Sequence, residues 1–142
     1  MKLFYLVLFM CMSMVWTSHA QKENHFSQFD THVQEVYQDQ ADALVYSNPT
    51  RLAVLKDLYE NRLFLAYDPA VINQKGAALN NTAQLPVMTK YGYEAQRLSN
   101  PGQLNPLQFQ INYYLTQNQY FRIGNSDYLL VVKAFVPNSI QN

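Results

Sequence analysis

The stretch Pro106–Val136, PLQFQINYYLTQNQYFRIGNSDYLLVVKAFV, carries the clearest secondary-structure pattern in the chain. Apolar residues occupy every second position of Leu107–Leu115, which predicts a strand with one buried and one polar face. Two further apolar runs, Gln119–Ile123 and Tyr128–Val136, are separated by the turn residues Gly124–Asp127. We therefore expect a three-stranded β-meander that supplies most of the core.

The third strand of this meander is apolar at both parities, so both of its faces should be covered. The first strand is polar on one side, so it should lie near an edge or face water. A short apolar run, Arg62–Tyr67, ends at Asp68-Pro69 and is predicted to pair on the open side of the third strand. Continuation of the preceding helix also fits this run.

Two amphipathic helices are predicted before the meander. The first has Asp30 or Thr31 as its cap, and Gln34 stands three residues after Thr31, as a capping box requires. It should continue to about residue 47. The second begins at Asn48, a good cap, with Pro49 in the first helical position. The predicted fold class is α+β: an N-terminal helix pair packed on a small, mainly antiparallel sheet with the C-terminal β-meander.

Residues 1–20 have the features of a signal peptide. Lys2 precedes an apolar run, Leu3–Trp16, and Ser18-His19-Ala20 places small residues at a cleavage site. The run is short for a retained membrane anchor. A lipoprotein signal at Cys11 would need small residues before it, but Leu8-Phe9-Met10 are bulky. We expect cleavage after Ala20, leaving no integral membrane span.

The remaining chain, residues 21–142, is the length of one domain. Residues 21–29 are predicted to form a loose arm. Residues 68–105 should be an irregular connection, with a short helix near Pro69–Gln74 and an extended piece near Leu85–Tyr93. The chain after Ala20 contains no cysteine, which favours a bacterial exported protein with a sufficient core over a disulfide-rich module.

The charge balance weighs against nucleic-acid binding. Lys2 is one of ten Lys and Arg residues, so nine remain after cleavage against ten Asp and Glu residues. No basic stretch is long enough to follow a phosphate backbone. The composition, rich in Asn, Gln and Tyr, gives a neutral polar surface with a low electrostatic barrier to protein association.

Catalytic and metal-binding patterns are poorly supported. His25 and His32 are too far apart in sequence for one metal ion and are read as exposed residues on a polar arm. Glu35, Asp39 and Asp42 would share one face of a continuous helix, which is more typical of a solvated face than of a carboxylate pair. No serine has a G-x-S-x-G context. The sequence predicts no catalytic residue, no metal and no cofactor.

Tyrosines and neighbouring arginines are the best candidates for a contact surface. Aromatic rings beside amides and arginine suit contacts with proteins, peptides or glycans. Several of these tyrosines could instead lie at the rim of the core with their hydroxyls in water. The candidate interaction surface comprises Tyr91, Tyr93, Arg97, Tyr114, Tyr120 and Arg122.

The C-terminal part also resembles a family of small exported proteins of Bacteroidota, the flavobacteria and their relatives. The segments that carry the resemblance are Asn105–Phe109, Tyr120–Ile123 and Asn125–Val132, and the Ala20-Gln21 junction is similar to cleavage sites in that group. The resemblance contains no catalytic motif. It implies an exported bacterial protein and leaves the activity open.

Together these patterns predict a non-enzymatic exported protein of the periplasm or cell envelope. We expect it to act as an interaction or accessory subunit whose partner is another envelope protein. The alternative is a small-ligand or glycan-binding module, and a carboxylate-dependent hydrolase is the third hypothesis.

Overall fold

A computed structural model describes residues 24–76, 78–90 and 100–137 of the chain. Its fold is α+β, as predicted, with a mixed five-stranded sheet of order β1-β2-β5-β4-β3. In this part of the chain β3 and β4 are parallel and the other neighbouring pairs are antiparallel. The strands are β1 (Asn24–His25), β2 (Leu63–Tyr67), β3 (Asn80–Asn81), β4 (Gln119–Arg122) and β5 (Tyr128–Val132).

Short helices surround this sheet. The α-helices are α1 (Phe29–Tyr37), α2 (Pro49–Asp57) and α3 (Pro69–Lys75). The 3-10 turns are Gln38–Gln40, Thr82–Gln84, Pro101–Gln103 and Pro106–Gln108, and the π-helical turns are Asp42–Tyr46 and Leu58–Arg62.

Two helix starts follow directly from local sequence. The side chain of Asn48 accepts a hydrogen bond from the Arg51 amide (3.0 Å), and Pro49 takes the first position of α2, as predicted. Asp68 accepts from the Val71 amide (3.0 Å) at the start of α3. The short helix predicted near Pro69–Gln74 is therefore confirmed.

The first predicted helix differs from the structure at both ends. Helix α1 begins at Phe29, before Thr31, and within the described residues its N-cap Gln28 contributes no side-chain hydrogen bond. The predicted capping box is therefore wrong. The helix is also discontinuous, because Gln38 has a φ of 47° and its amide donates to the Gln34 carbonyl. A residue in the left-handed region ends an α-helix, so a 3-10 turn and a π-helical turn cover the rest of the predicted span.

One face of the sheet forms the main core with the helices. The strands contribute Leu63, Phe121 and Leu130, which point to the same side by the strand registers. Helices α1 and α2, with the turns that follow them, pack on this side. Fully buried helical residues in this core include Val33, Val36, Val45 and Leu58.

The opposite face carries a second, smaller core. Phe64, Ala66, Leu129 and Val131 are buried there beneath Ile72 of α3. The prediction that the last strand is covered on both faces is thus confirmed for Leu129–Val132, although the strand ends at Val132 and not at the predicted Val136. Its pairing with β2 across Leu63–Tyr67 also confirms the strand interpretation of that run.

The predicted first strand of the meander is wrong. Residues 107–115, all of which the structure describes, make one isolated bridge, between Phe109 and Val87, and do not pair with β4. Asn105 accepts from the Leu107 amide (3.0 Å) and Pro106 begins a 3-10 turn, so the chain is curved where a strand was expected. Gln108, assigned to the polar face, is buried.

Two segments expected to be irregular contribute to the sheet. In the arm predicted over residues 21–29, Asn24–His25 form β1 and pair with Phe64 and Leu65 of β2. In the connection predicted over residues 68–105, α3 is followed by β3, which pairs with Phe121 and Arg122. Residues 91–99 and the tail from 138 lie outside the described residues.

A buried ion pair joins the helical and strand parts. Arg62, which is 5% exposed, donates through Nε to Asp57 Oδ2 (2.6 Å). Its Nη1 donates to the Tyr113 carbonyl (2.9 Å), and its guanidinium carbon lies 5.1 Å from the centroid of the Phe135 ring. The Arg62 carbonyl accepts from the Lys133 amide (2.8 Å). One residue thereby fixes the end of a helix, the start of β2 and two later segments.

We predict that Asp57→Ala lowers the free energy of unfolding by about 3–5 kcal/mol, because it leaves the Arg62 charge buried without its partner. The measurement is denaturant-induced unfolding followed by circular dichroism. The double change Asp57→Leu with Arg62→Met should recover most of this loss, since it removes both charges together. Asp39→Ala, at an exposed position, is the control and should leave the midpoint unchanged. A single Asp57→Ala variant as stable as the parent would contradict the assigned role of this pair.

Candidate functional site

A cleft lies between the start of α2 and the segment that follows the Pro106–Gln108 turn. We call it the tyrosine cleft; its volume is about 680 Å³. Its apolar surface comes from Val54, Leu55, Met88 and Ile111. Its aromatic and polar surface comes from Tyr37, Asn48, Thr50, Arg51, Asn112, Tyr113 and Tyr114.

Arg51 is the one charged side chain among the described residues that line the tyrosine cleft. Its Nη2 donates to the hydroxyl of Tyr37 (2.9 Å), and its guanidinium carbon lies 5.1 Å from the centroid of that ring. The contact positions the guanidinium while leaving it further N–H donors. The cleft therefore offers a positive charge beside an apolar surface.

Two consecutive tyrosines of the cleft have different environments. The hydroxyl of Tyr113 donates to the Pro106 carbonyl (2.8 Å), and burial, with a further contribution from Tyr37, raises the pKa of Tyr113 well above its usual range. Tyr113 is therefore a neutral, fixed part of the wall. Tyr114 is 57% exposed and packs edge-on against Phe135, with ring centroids 5.4 Å apart.

An exposed apolar surface continues from Tyr114. We call Tyr114, Leu115, Phe135 and Val136 the aromatic patch. Leu115 is 43% exposed and Val136 is 56% exposed. The Phe135 amide donates to the Leu115 carbonyl (2.8 Å), which fixes the two segments of the patch side by side. Tyr114 belongs to both the cleft and the patch, so the two surfaces are continuous.

The residues predicted to form a contact surface do not come together as one site. Tyr91, Tyr93 and Arg97 lie outside the described residues. Tyr114 lies at the cleft, as described above. Tyr120 is exposed on β4, at a groove on the other side of the sheet from the main core.

Arg122 shares the face of β4 with Tyr120, and its contacts are structural. Its Nε donates to the Ser126 carbonyl (3.2 Å) and its Nη2 to the Asn125 carbonyl (3.3 Å). Gly124, with a φ of 53°, allows the tight turn that these contacts close. Arg122 therefore holds the β4–β5 hairpin.

The sequence interpretation missed most residues of the cleft and the patch. The alternation over Leu107–Leu115 places Tyr113 and Leu115 on the packing face of a strand, and no sequence pattern singles out Arg51. The cap at Asn48 did place Arg51 in the first helical turn. No local pattern indicated that Ile111–Tyr114 would lie opposite that turn.

His32 is not on an exposed arm, contrary to the sequence interpretation. It is buried in α1, and its Nδ1 lies 2.9 Å from the hydroxyl of Tyr59. Burial lowers the pKa of His32 below 6.5, and the nearby Glu35 carboxylate opposes this change in part. Burial raises the pKa of Tyr59 far above its usual range. A neutral imidazole and a neutral phenol therefore share this hydrogen bond.

The carboxylates considered for catalysis lie on separate helical segments. Glu35 is in α1 and accepts from Asn105 Nδ2 (2.8 Å), whereas Asp39 is in the 3-10 turn and Asp42 in the π-helical turn. The break at Gln38 removes the common helix face on which the hydrolase hypothesis was based. Within residues 24–76, 78–90 and 100–137, no three His, Cys, Asp or Glu side chains are grouped as metal ligands.

Comparisons with known proteins leave the site to be interpreted from its own residues. No family model matches the chain, and neither the curated proteins nor the solved structures contain a match to it. In the described part of the chain, no helix is long and apolar enough to cross a membrane.

The His32–Tyr59 contact predicts a pH dependence of stability. Because the pKa of His32 is lower in the folded protein than in the unfolded chain, the unfolded state binds the proton more strongly. Stability should be full above pH 6.5 and should decline as the pH falls from there to the lowered native pKa. One proton gives a slope of at most about 1.4 kcal/mol per pH unit.

The measurement is the free energy of unfolding between about pH 7.5 and 5.5, above the range in which ordinary carboxylates titrate. His32→Gln should flatten this profile. His25→Gln, which keeps the His32–Tyr59 pair, is the matched control and should retain the slope. Equal slopes in His32→Gln and the parent would refute the assignment.

Proposed function

We propose that this chain is an exported, non-enzymatic interaction protein of the periplasm or cell envelope, acting as an accessory subunit for another envelope protein. The main observation that supports this proposal is the continuous surface formed by the tyrosine cleft and the aromatic patch. The signal-peptide pattern of residues 1–20 supports export, and the absence of cysteine after Ala20 supports a bacterial origin.

The exposed apolar side chains support this location for the contact surface. Five large hydrophobic residues are exposed in the described part of the chain, and three of them, Tyr114, Leu115 and Val136, belong to the aromatic patch. Contiguous exposed apolar surface is typical of interaction sites. Tyrosine and arginine, which meet at the neighbouring cleft, are enriched among residues that dominate interface energies.

The lining of the cleft supports a proposal for the chemistry of the partner. Arg51 is its charged group and lies beside the apolar side chains of Val54 and Ile111. A complementary partner presents a carboxylate to the guanidinium and an adjacent apolar side chain to the cleft. An acidic-apolar segment of another protein has both features, and the patch extends the contact area beyond the cleft.

The alternative, a glycan-binding module, is favoured by one specific observation. The cleft places Tyr37, Tyr113 and Tyr114 with Asn48 and Asn112 around one concavity. Such rings and amides can contact the faces and hydroxyls of a sugar. The apolar patch beside the cleft is better explained by a protein partner, so this function remains second.

Export predicts a defined mature N-terminus. When the full chain is produced in a bacterial host that exports proteins, intact-mass and N-terminal analysis of the envelope fraction should give a chain that begins at Gln21. Replacing Ala20 by a bulky residue, as in Ala20→Leu, should block cleavage because the site requires a small residue there. An uncut chain recovered from the cytoplasm would contradict the export proposal.

The contact surface predicts site-specific crosslinking. With the photoreactive residue p-benzoylphenylalanine in place of Tyr114, irradiation of native cells should give one discrete crosslinked product, identifiable by mass spectrometry. The matched control carries the same residue in place of Tyr67, which is 48% exposed at the far end of β2, about 13 Å along the strand from Leu63. It should give no such product.

Substitutions then test the surface with the identified partner. Tyr114→Ala should weaken binding about 30-fold, as expected for a central interface tyrosine, and Arg51→Glu should weaken it through charge reversal. Tyr67→Ala and Lys56→Glu are the corresponding controls. Crosslinking to a glycan, or equal crosslinking at both positions, would contradict the protein-partner proposal.

A further inference from the structure

A second concavity, independent of the tyrosine cleft, lies on the opposite face of the sheet. We call it the sheet groove; its volume is about 460 Å³. Helix α3 has seven residues and is therefore about 10 Å long, whereas each of the five-residue strands β2 and β5 spans about 16 Å. The helix is too short to cover this face completely, and the sheet groove lies beside it, over side chains that are themselves largely buried.

The floor of the sheet groove is apolar. Ala66, Leu129 and Val131 form it, and Val71 and Leu79 form its walls. Ala66 is paired with Leu129 in the strand register, and its small side chain occupies less of the groove than a larger residue would. An apolar floor of this kind is suited to a hydrocarbon group rather than to a sugar or a nucleotide.

The rim of the sheet groove carries an excess of positive charge. Lys75 and Lys133 stand at the rim, against one carboxylate, that of Asp68. Asp68 Oδ1 accepts from the Val71 amide (3.0 Å) at the start of α3. The Nζ of Lys133 lies 3.9 Å from the centroid of the Phe64 ring, which holds its ammonium group over this face of the sheet.

We propose that the sheet groove binds a single-chain amphiphile with a carboxylate head group, such as a medium-chain fatty acid. The hydrocarbon chain lies on Ala66, Leu129 and Val131, and the carboxylate meets the ammonium groups of Lys75 and Lys133. The volume falls within the range of about 300–1,000 Å³ typical of small-molecule sites. The polar lining of the groove consists of Asp68, Lys75, Asn118, Tyr120 and Lys133, and the two lysines supply the positive charge that a carboxylate head group would meet.

This inference does not depend on the interaction proposed above. The sheet groove and the tyrosine cleft share none of their described lining residues. A free fatty acid can place its single hydrocarbon chain on the apolar floor, whereas the chains of a phospholipid in a bilayer are held within the membrane.

The experiment is displacement of a fluorescent fatty-acid analogue from the purified chain beginning at Gln21. Three competitors share one hydrocarbon chain and differ in the head group: dodecanoate, dodecanol and dodecyltrimethylammonium. We expect dodecanoate to bind at least about tenfold more tightly than the other two, because only its head group pairs with the lysines.

Substitutions test whether the ligand binds in the sheet groove. Lys75→Glu, at an exposed position, should weaken dodecanoate binding at least about tenfold and strengthen binding of the cationic amphiphile. Lys56→Glu makes the same charge change on α2 and should leave both affinities unchanged. Ala66→Phe should abolish binding, because the larger side chain fills the groove above the floor. Circular dichroism tests whether this variant folds. If it does not fold, the exposed Lys75→Glu variant alone tests the location of the binding site.

Three results would overturn the proposal. The first is equal affinity for the three head groups, which would indicate non-specific hydrophobic binding. The second is dodecanoate binding that Lys75→Glu leaves unchanged. The third is binding of phosphatidylglycerol vesicles without binding of free dodecanoate, which would assign the lysines to a membrane surface instead.

Discussion

The geometry of the tyrosine cleft and the aromatic patch depends on one buried charge. Arg62 pairs with Asp57 at the end of α2, donates to the Tyr113 carbonyl and packs against Phe135. Tyr113 lines the tyrosine cleft, and Phe135 belongs to the aromatic patch. A guanidinium has a fixed fork of donors, so one side chain can hold segments that approach from different directions. The desolvation cost of burying it is offset only while these contacts are kept.

One donor of this guanidinium adds to the constraint. Arg62 Nη2 is buried and has no hydrogen-bond partner among the described residues. Burying a guanidinium is costly, so the packing of Phe135 and the backbone hydrogen bond from Lys133 must favour the arrangement. This position is therefore set by the tertiary fold rather than by the local preference of the π-helical turn.

The unequal cover of the two sheet faces accounts for the separation of the two proposed sites. Helices α1 and α2, together with the turns after them, fill one face and create the tyrosine cleft where α2 meets Ile111–Tyr114. The seven-residue α3 fills only part of the other face. The first site is formed between packed elements and the second beside a helix that covers the sheet only in part, and the ligands proposed for them differ accordingly.

Local signals explain which parts of the fold were predictable. Asn48-Pro49 predicts a helix start through a side-chain cap and a fixed φ, and this start is found. The short helix expected near Pro69–Gln74 is also found, and Asp68 caps it. The apolar runs of β2 and β5 also gave the correct strands and the correct pairing. The helix starts were predictable because the capping interaction joins residues that are close in sequence. The strands were predictable because both of their faces are apolar.

The alternation over Leu107–Leu115 shows the opposite case. An alternating pattern indicates that successive side chains lie in different environments. It does not indicate which segment forms hydrogen bonds with the backbone. Here Met88 N donates to the Gln108 carbonyl and Gln110 N to the Pro86 carbonyl, so the segment meets residues 86–88 instead of β4. The prediction of a continuous first helix was wrong for a similar reason, because the helical pattern of the sequence does not indicate the positive φ at Gln38.

The candidate site was less predictable than the fold, because it depends on contacts between segments that are distant in sequence. Composition indicated tyrosine and arginine as contact residues, and Tyr114 does lie on the contact surface proposed here. The cleft, however, joins α2 to a segment some sixty positions later in the chain, and the contact that holds this segment comes from Arg62. Residue type predicted the chemistry of the surface, whereas its location required long-range contacts that no local pattern encodes.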